Sequence, residues 1–461
     1  MVDFAIQKLL CGQRISRIIG NTELEFAVMS RRLALDFDTT FCNGEDKSEA
    51  ERNQMTQVER YMRVCLGVKE GLDSAVTVAS SEPILSEAAA IAMQQPRFRS
   101  CRSLRNILQW PGMSKGDRGE LITCNISIDT LDSLMFENRQ LKSLSVEVTS
   151  YFQALFASDI YTKKIQSMLP SKLADDSQKH TFAATFANSR IYVTHFIKVY
   201  DYNVLSVEFL AKCAARGVAI VCADYQRGVN VVIPIVIDKD KPLTKENVTA
   251  LLLQSKNNVS YSTNVLPSLF HIMDPYALGI FDRLTENPPP VIRMVYALAS
   301  KESGVCVVKL PVRKALPRAA KEKAAKKQAA KTKLNKYAYT SFDIWCAQAS
   351  SKTFRAIQTH EDGIYAELLK MSQDVPMMFQ PPEEYLASAA MSMYPCGTSS
   401  AGHWQFCEAF EEHPDEEMVA DEEMASGEDE ETASGEDEEM ASGEDEKMVA
   451  DKGDSDAENS E

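Results

Sequence analysis

The chain has 461 residues, of which 44% are hydrophobic, and this length and composition suit a globular protein of two or three domains. No apolar stretch approaches the roughly 18 to 20 residues that a membrane span needs, and the first residues lack the pattern of a secretory signal. Eleven scattered cysteines, with no CxxC pair and no paired zinc-ligand spacing, predict reduced thiols. We therefore expect no membrane association, no zinc centre, and a nuclear or cytoplasmic location.

The net charge of −16 hides two regions of opposite sign. Residues 408–461 carry 25 acidic and 2 basic side chains, which leaves 41 acidic and 48 basic side chains in the first 407 residues. A mildly basic body suits contact with DNA or RNA, and an acidic tail suits contact with a basic protein. The tail repeats ASGEDE with a period of eight residues and has too few apolar residues to order itself, so we expect it to be disordered.

Residues 1–100 are predicted to form a helical N-terminal region. Apolar residues recur at helical spacing from Lys47 to Lys69, and Ser81-Glu82-Pro83 favours the start of another helix. We find neither a GxxxxGK[ST] loop nor a GxGxxG loop in the chain. This region is best explained as a packing module without chemistry of its own.

Residues 101–125 combine a basic cluster, which includes Arg118, with Trp110 and a turn that enters a helix. The sequence favours Asp117 as the N-cap of that helix, which places Glu120 in its first turn. A carboxylate there is stabilised by the helix dipole whether or not it has a chemical role. Taken alone, Glu120 is better explained as a structural residue.

Residues 217–258 hold the densest run of β-branched residues in the chain and predict two buried strands. A strand is also predicted from Ile191 to Val199, in which His195 is more simply explained as a core residue than as a catalyst. Apolar runs at 291–299 and 304–310 predict further strands of the same sheet. The middle of the chain is therefore expected to be α/β.

The segment from Arg313 to Lys336 contains ten basic residues and one acid among alanines, and it predicts an exposed basic helix. This helix is either a nucleic-acid or nuclear-import patch, with Lys323, Lys326 and Lys327 at its centre, or a solvated linker. Residues 341–407 are predicted to form short helices.

Four polar residues, Glu120, Asn230, Gln254 and Lys256, together suggest a nuclease site. A metal-dependent nuclease needs oxygen ligands for Mg²⁺ and a cation beside the attacked phosphate. Residues two apart on a strand share a face, so Gln254 and Lys256 are expected to point the same way. The alternative is that these residues are merely polar strand ends.

At these residues the chain resembles the restriction-endonuclease-like, PD-(D/E)XK, superfamily. The version it resembles most occurs in uncharacterised fungal proteins related to Crinkler-type effectors and transposon-associated sequences. The resemblance covers roughly residues 80–310, and its motifs are short. They are GDRGEL at 116–121, RGVAIVCADYQRGVNVVIPI at 216–235 and LLLQSKN at 251–257, preceded by the similar segment that begins at Ser81.

The resemblance implies a metal site with Glu120 as the helical carboxylate and with Gln254 and Lys256 as the catalytic pair. Asn230 stands where the family has a metal-binding aspartate, and Asp224 is the acid that could substitute for it. An amide oxygen is a neutral ligand, and Mg²⁺ sites rely on carboxylate charge. The resemblance therefore implies a degenerate nuclease that binds Mg²⁺ only if it is active.

We therefore expect an α/β fold with a mixed central sheet of restriction-endonuclease-like type, a helical N-terminal region and a disordered acidic tail. The expected function is nucleic-acid binding, through Arg118, Arg227 and the basic helix, with weak or absent phosphodiester hydrolysis. Two alternatives remain: an interaction protein whose tail binds basic partners such as histones, and a non-functional fragment of a larger mobile-element or effector protein. The expected regions are 1–100 (helical), 101–310 (α/β domain), 311–340 (basic helix or linker), 341–407 (small helical region) and 408–461 (acidic tail).

Overall fold

The computed structural model describes most of the first 370 residues. The described ranges are 1–35, 37–38, 45–68, 75–108, 114–157, 159–175, 179–224, 226–283, 285, 287–309 and 338–370. Trp110, the predicted basic helix with Lys323, Lys326 and Lys327, and the predicted acidic tail lie outside them. In the described part the protein is a mixed α/β structure, and none of its helices is both long and apolar enough to cross a membrane.

The α-helices of the described part occur mainly before the large sheet. They are α1 (Val2–Leu9), α2 (Thr22–Leu33), α3 (Glu45–Arg60), α4 (Pro83–Met93), α5 (Ser100–Ile107), α6 (Lys115–Met135), α7 (Val148–Leu155), α8 (Phe182–Thr185), α9 (Val207–Arg216), α10 (Pro267–Ile272) and α11 (Asp362–Lys370). Short 3₁₀ turns occur at Ile15–Arg17, Tyr202–Val204, Lys245–Asn247 and Thr359–Glu361, and a π-helical turn at Tyr161–Ile165.

The strands form one large sheet and two small ones. They are β1 (Phe37–Asp38), β2 (Val64–Val68), β3 (Ala75–Val78), β4 (Phe136–Glu137), β5 (Gln140–Leu141), β6 (Val146–Glu147), β7 (Arg190–Ile191), β8 (His195–Lys198), β9 (Val218–Val221), β10 (Val231–Val236), β11 (Val248–Lys256), β12 (Val291–Ala297), β13 (Gly304–Val307) and β14 (Ser341–Ala347).

The large sheet has nine strands and is mixed, as the sequence predicts. Its strand order is β13-β14-β12-β11-β10-β7-β6. Strand β9 pairs with the first residues of β10, whose last residue pairs with β7, and β8 pairs with the other edge of β9. Strands β11, β12 and β14 are parallel to one another, whereas β10 runs antiparallel to both β9 and β11. Because β13 is antiparallel to β14 and β8 is parallel to β9, the sheet is mixed on both sides of β11.

Strand β11 separates two hydrophobic clusters because its side chains alternate between the faces of the sheet. Leu251 and Leu253 belong to the cluster that contains the apolar residues of α2, α6 and α7. Ala250 and Leu252 belong to the second cluster, which contains those of α9 and α10. Burial on both faces explains the continuous run of apolar residues that the sequence shows here.

Helix α6 is the central helix of the first cluster. Nearly all of its turns are buried, and it packs against α2, α5, α7, α11 and β11. Its N-cap is Ser114, whose hydroxyl oxygen accepts a hydrogen bond from the backbone N–H of Asp117 at 3.1 Å, so the predicted N-cap at Asp117 is wrong by one turn. Glu120 accordingly lies in the second turn of the helix.

Two predictions about local structure need correction. The helix predicted from Lys47 to Lys69 ends at Arg60, and β2 and β3 follow it as part of a small three-stranded sheet. β-branched residues at Val64, Val76 and Val78 fit a strand better than a helix. The first helix predicted after residue 341 is strand β14, which is buried on both faces and therefore shows no amphipathic pattern.

His195 is a core residue, as predicted. It is 1% exposed, and its ring nitrogens lie 2.9 Å from the hydroxyls of Ser81 and Thr194. Burial, followed by the charges of nearby arginines, lowers the pKa of His195 to about 3. The imidazole is therefore neutral at physiological pH and holds the start of β8 against the segment before α4.

Gly228 is required by the turn between β9 and β10. Its φ is +91°, and a Cβ atom placed on it would lie 2.1 Å from the carbonyl oxygen of Ile272. We predict that Gly228→Ala lowers the free energy of unfolding by about 2–4 kcal/mol, because left-handed strain and a backbone clash add. Gly12→Ala is the matched control, since Gly12 has φ +75° but no neighbour within 4 Å. If urea titrations show that the two variants lose equal free energies of unfolding, the close approach of Gly228 to the Ile272 carbonyl does not matter for stability.

Candidate functional site

Several strand ends meet at one end of the large sheet. Because β8 and β9 are parallel and both run opposite to β10, the carboxyl ends of β8, β9 and β11 lie beside the start of β10. The N-terminal part of α6 packs there closely, since a Cβ on Gly119 would lie 3.1 Å from the Cβ of Asn257. The side chains collected at this place are here called the strand-end cluster: Asp117, Glu120, Lys198, Asp224, Asn230 and Lys256.

The amide of Asn230 connects α6 to the sheet. Its Nδ2 donates a hydrogen bond to Glu120 Oε1 at 2.6 Å, and its Oδ1 accepts one from the backbone N–H of Ser255 at 2.8 Å. A backbone N–H can only donate, so Oδ1 must face Ser255 and the NH₂ group must face Glu120. The orientation of the amide is therefore fixed by the strand and not by the carboxylate.

Glu120 is half-buried and holds its proton unusually tightly. Burial is the main cause, the charges of Asp117 and Asp224 act in the same direction, and together they raise its pKa from 4.5 to about 8. Lys198 and the Asn230 hydrogen bond oppose this shift without cancelling it. At neutral pH the carboxyl group is therefore mostly uncharged, which is unusual for a residue predicted to hold a metal ion.

Asp224 belongs to this cluster, but its partner is a cation. Lys198 Nζ lies 2.9 Å from Asp224 Oδ1, and both side chains are largely buried. Burial also raises the pKa of Asp117, and Lys198 opposes that shift. Lys198 therefore lies among three carboxyl groups and partly neutralises them.

Lys198 and Asp117 are the site residues that the sequence analysis missed. Asp117 precedes Glu120 by three residues, so the helical period places both on one face of α6. Lys198 is the last residue of β8, and a charged residue at the end of a buried strand could have marked it. What the sequence could not show is that β8 lies beside β9 in parallel, which brings Lys198 to the same end of the sheet as Asp224.

Lys256 and Gln254 have different surroundings. Lys256 is the last residue of β11 and half-buried, and burial lowers the pKa of its ammonium group against the opposing charge of Glu120. By the alternation of β11, Gln254 and Lys256 both start on the face of Leu252, away from α6, as the sequence predicts for residues two apart. The charge of Glu120 nevertheless acts on Lys256 at the strand end. Ser255 instead faces the helix, and its hydroxyl lies 2.7 Å from the Thr123 hydroxyl.

The predicted nucleic-acid contacts are only partly at the surface. Arg118 is 3% exposed, and burial lowers the pKa of its guanidinium, so its assignment to a nucleic-acid surface needs correction. Arg118 lies on the buried side of α6. The sequence could not show this, because Arg118 belongs to a cluster of basic residues and the sequence does not show which member of the cluster is buried. Arg227 is exposed in the turn between β9 and β10, next to Asn230 in the chain.

The residues at this place do not fit Mg²⁺ as they are arranged. The amide of Asn230 presents its NH₂ group to Glu120, Glu120 is mostly protonated at neutral pH, and Asp224 is paired with Lys198. Within the ranges described above, no group of three or more histidine, cysteine, aspartate or glutamate side chains could hold a metal ion. The arrangement can bind an anion through its lysines or transfer a proton from Glu120, but it offers no ready set of oxygen ligands.

Comparisons of the chain with protein-family models, curated proteins and solved structures give no match. The function of the strand-end cluster is therefore argued from its own residues.

The raised pKa of Glu120 predicts a pH-dependent stability. The unfolded chain ionises this group near 4.5 and the folded chain near 8, so the free energy of unfolding falls as the pH rises between these values. Glu120→Gln keeps an oxygen to accept from Asn230 but cannot ionise. We predict that urea titrations between pH 5 and 8.5 show a smaller loss of stability in Glu120→Gln than in the wild type. Parallel curves would contradict the shifted pKa, whatever other groups titrate.

Proposed function

We propose that the chain is a degenerate nuclease-like protein that binds nucleic acid and hydrolyses phosphodiesters weakly or not at all. One observation carries the proposal: the amide of Asn230 donates to Glu120 at 2.6 Å, at the end of a mixed sheet and beside Lys256. Contact between Glu120 and Asn230, and the effect of the Glu120 charge on the pKa of Lys256, support the proposal that these residues correspond to the site that the resemblance implies. The hydrogen bond between them occupies the place where two metal-binding carboxylates would otherwise face each other.

Loss of hydrolysis follows from this chemistry. A nuclease metal site needs negatively charged oxygen ligands, and the NH₂ group of Asn230 repels a cation instead of binding it. Protonation of Glu120 removes a further charge at neutral pH. Of the two cations of the cluster, Lys198 is buried and paired with Asp224, whereas Lys256 is half-buried and suits contact with a phosphate oxygen.

Exposed cations surround the cluster and give it a surface for a polyanion. Lys115 and Arg227 are exposed at the start of α6 and in the turn before β10, and Lys256 is half-buried at the end of β11. Phosphate contacts of this kind supply affinity without sequence preference. We therefore expect binding that depends on salt and differs little among sequences.

Asn230→Asp tests the proposed loss of the metal site. An aspartate at this position still accepts the Ser255 N–H but can no longer donate to Glu120, so two carboxyl groups face each other. Such a pair is relieved either by sharing a proton or by binding a divalent cation. We predict that Mg²⁺ or Mn²⁺ raises the melting temperature of Asn230→Asp more than that of the wild type. We also expect cleavage of single- or double-stranded DNA or RNA to increase.

The double variant Asn230→Asp/Lys256→Ala is the control for catalysis. It keeps the new pair of carboxyl groups but lacks the cation beside the attacked phosphate, so cleavage should disappear while the metal-dependent stabilisation remains. If no variant cleaves nucleic acid and Mg²⁺ or Mn²⁺ does not stabilise Asn230→Asp, the proposal that the chain is a degenerate nuclease-like protein is contradicted.

Nucleic-acid binding is tested separately with fluorescence-labelled oligonucleotides. We predict that Arg227→Ala and Lys256→Ala each reduce the slope of log K against log salt concentration by about one. Lys241→Ala is the matched control, because Lys241 is an exposed cation beyond the opposite end of β10. An equal effect of all three changes would place the binding surface elsewhere on the molecule.

A second candidate function rests on the 25 acidic side chains of residues 408–461. In this alternative the tail binds a basic protein such as a histone, and the folded part is a scaffold. Binding to a basic partner that weakens with salt and is lost on deletion of residues 408–461 would favour it. Binding that survives the deletion would exclude the tail as the contact.

A further inference from the structure

A second polar site lies further along α6, away from the strand-end cluster. A cavity of about 490 Å³ opens where the middle of α6 meets the loop before α5 and the segment before α11. This volume is within the range of small-molecule sites in proteins. The lining residues that matter for its chemistry are Arg99, Asp129, Asp132, Arg355 and Glu361.

Glu361 has an unsatisfied oxygen at this cavity. The residue is 4% exposed, and its Oε2 accepts a hydrogen bond from the backbone N–H of Gln358 at 3.0 Å. Its Oε1 is buried and lies 3.4 Å from Arg99 Nε and 3.9 Å from His360 Nε2, and neither contact within the described residues has the geometry of a hydrogen bond. The Cys101 thiol is a weak donor near the same carboxyl group. A buried carboxylate oxygen without a donor is costly, so this atom is suited to receive one from a ligand.

Asp129 presents a second carboxyl group to the same space. Its Oδ2 accepts hydrogen bonds from the Ser100 hydroxyl at 2.6 Å and from Asn125 Nδ2 at 3.1 Å. Burial, with the charges of Asp132 and Glu361, raises its pKa to about 7. Asp129 and Glu361 both line the cavity, and the charge of Glu361 contributes to the raised pKa of Asp129.

The remaining charges of the lining are arranged with anions inside and cations outside. Asp132 is already neutralised, because Arg32 binds its two oxygens at 2.6 and 3.2 Å. Arg355 is exposed, and the side chain of Arg99 is 38% exposed, so both guanidinium groups lie at the solvent side. The cavity therefore offers carboxyl groups in its interior and guanidinium groups at its opening.

We propose that this cavity binds a small zwitterion, such as a free amino acid or a dipeptide. The ammonium group of the ligand donates to Asp129 and Glu361, and its carboxylate faces Arg99 and Arg355. An ammonium has three donors and no acceptor, which matches two carboxyl oxygens at the interior. A guanidinium binds a carboxylate through two parallel hydrogen bonds, which matches the opening. This inference does not depend on the proposed nuclease relation.

The test is isothermal titration of the full-length protein with glycylglycine and L-lysine, beside putrescine, which has ammonium groups but no carboxylate, and succinate, which has the reverse. We expect saturable binding of at least one of the two zwitterions, and weaker binding of putrescine and succinate. Asp129→Asn should weaken zwitterion binding about tenfold or more, since it removes a charge-assisted hydrogen bond. Arg355→Ala should weaken zwitterion binding but leave putrescine binding unchanged.

Two further variants separate binding from folding. Ala154→Leu fills the cavity from α7 without altering any charge, so it should abolish binding while the circular dichroism spectrum stays that of the wild type. Glu137→Gln changes an exposed acid outside the cavity and should have no effect. If neither zwitterion binds to the wild type, or if Asp129→Asn and Ala154→Leu both bind the zwitterion as tightly as the wild type does, the proposal is wrong. Putrescine binding as tight as that of the zwitterions would contradict the part assigned to the arginines.

Discussion

The amide of Asn230, together with the hydroxyl pair of Thr123 and Ser255, holds α6 to the end of the large sheet. It joins Glu120, in the second turn of the helix, to the backbone of Ser255 at the end of β11. Helix α6 in turn carries the packing of α2, α5, α7 and α11. The Ser255 N–H and the Glu120 carboxyl group satisfy the two ends of the amide, so the orientation of the amide is determined. Glu120 therefore faces an NH₂ donor and not a second carboxylate.

The electrostatics of the strand-end cluster favour an uncharged carboxyl group beside two cations. Burial favours the uncharged form of Glu120 and opposes the charge of Lys256, while Lys198 is shared between Asp224 and Asp117. A carboxyl group that accepts from an amide does not need to be ionised. An amide at position 230 therefore avoids the repulsion that a second carboxylate would bring, and it offers no charged ligand to a metal ion.

The same helix carries a second polar site of a different kind. The cavity near Asp129 has unsatisfied acceptors, whereas the amide and the carboxyl group of the strand-end cluster satisfy each other. Unsatisfied buried acceptors are expected where a ligand completes them. The strand-end cluster and the cavity therefore differ in chemistry, and a variant that alters one should leave the other intact.

The sequence predicted strands such as Val231–Val236 and Val291–Ala297, because these runs are mostly apolar and rich in β-branched residues. It predicted two strands in residues 217–258, where the structure has β9, β10 and β11, and one strand from Ile191 to Val199, where β7 and β8 lie. It also grouped Glu120, Asn230 and Lys256 through the resemblance, and their role as a site stays a prediction. It failed at Ser341–Ala347, whose Trp and Cys residues do not distinguish a buried strand from a helix, and at β2 and β3, which follow a helix closely. It could not place Lys198 or the cavity, since both depend on contacts between elements distant in sequence. The predicted domain boundaries stay predictions.

The most direct test of the central claim is the side-chain amide signal of Asn230 in the ¹⁵N NMR spectrum of the wild type during a titration with Mg²⁺. A local signal is preferable because the acidic tail attracts Mg²⁺ on its own. If the NH₂ group donates to Glu120, its signals should be protected from exchange with water and should not move up to millimolar Mg²⁺. A saturable shift of these signals, lost in Glu120→Gln, would show that the metal site is intact and would contradict the account.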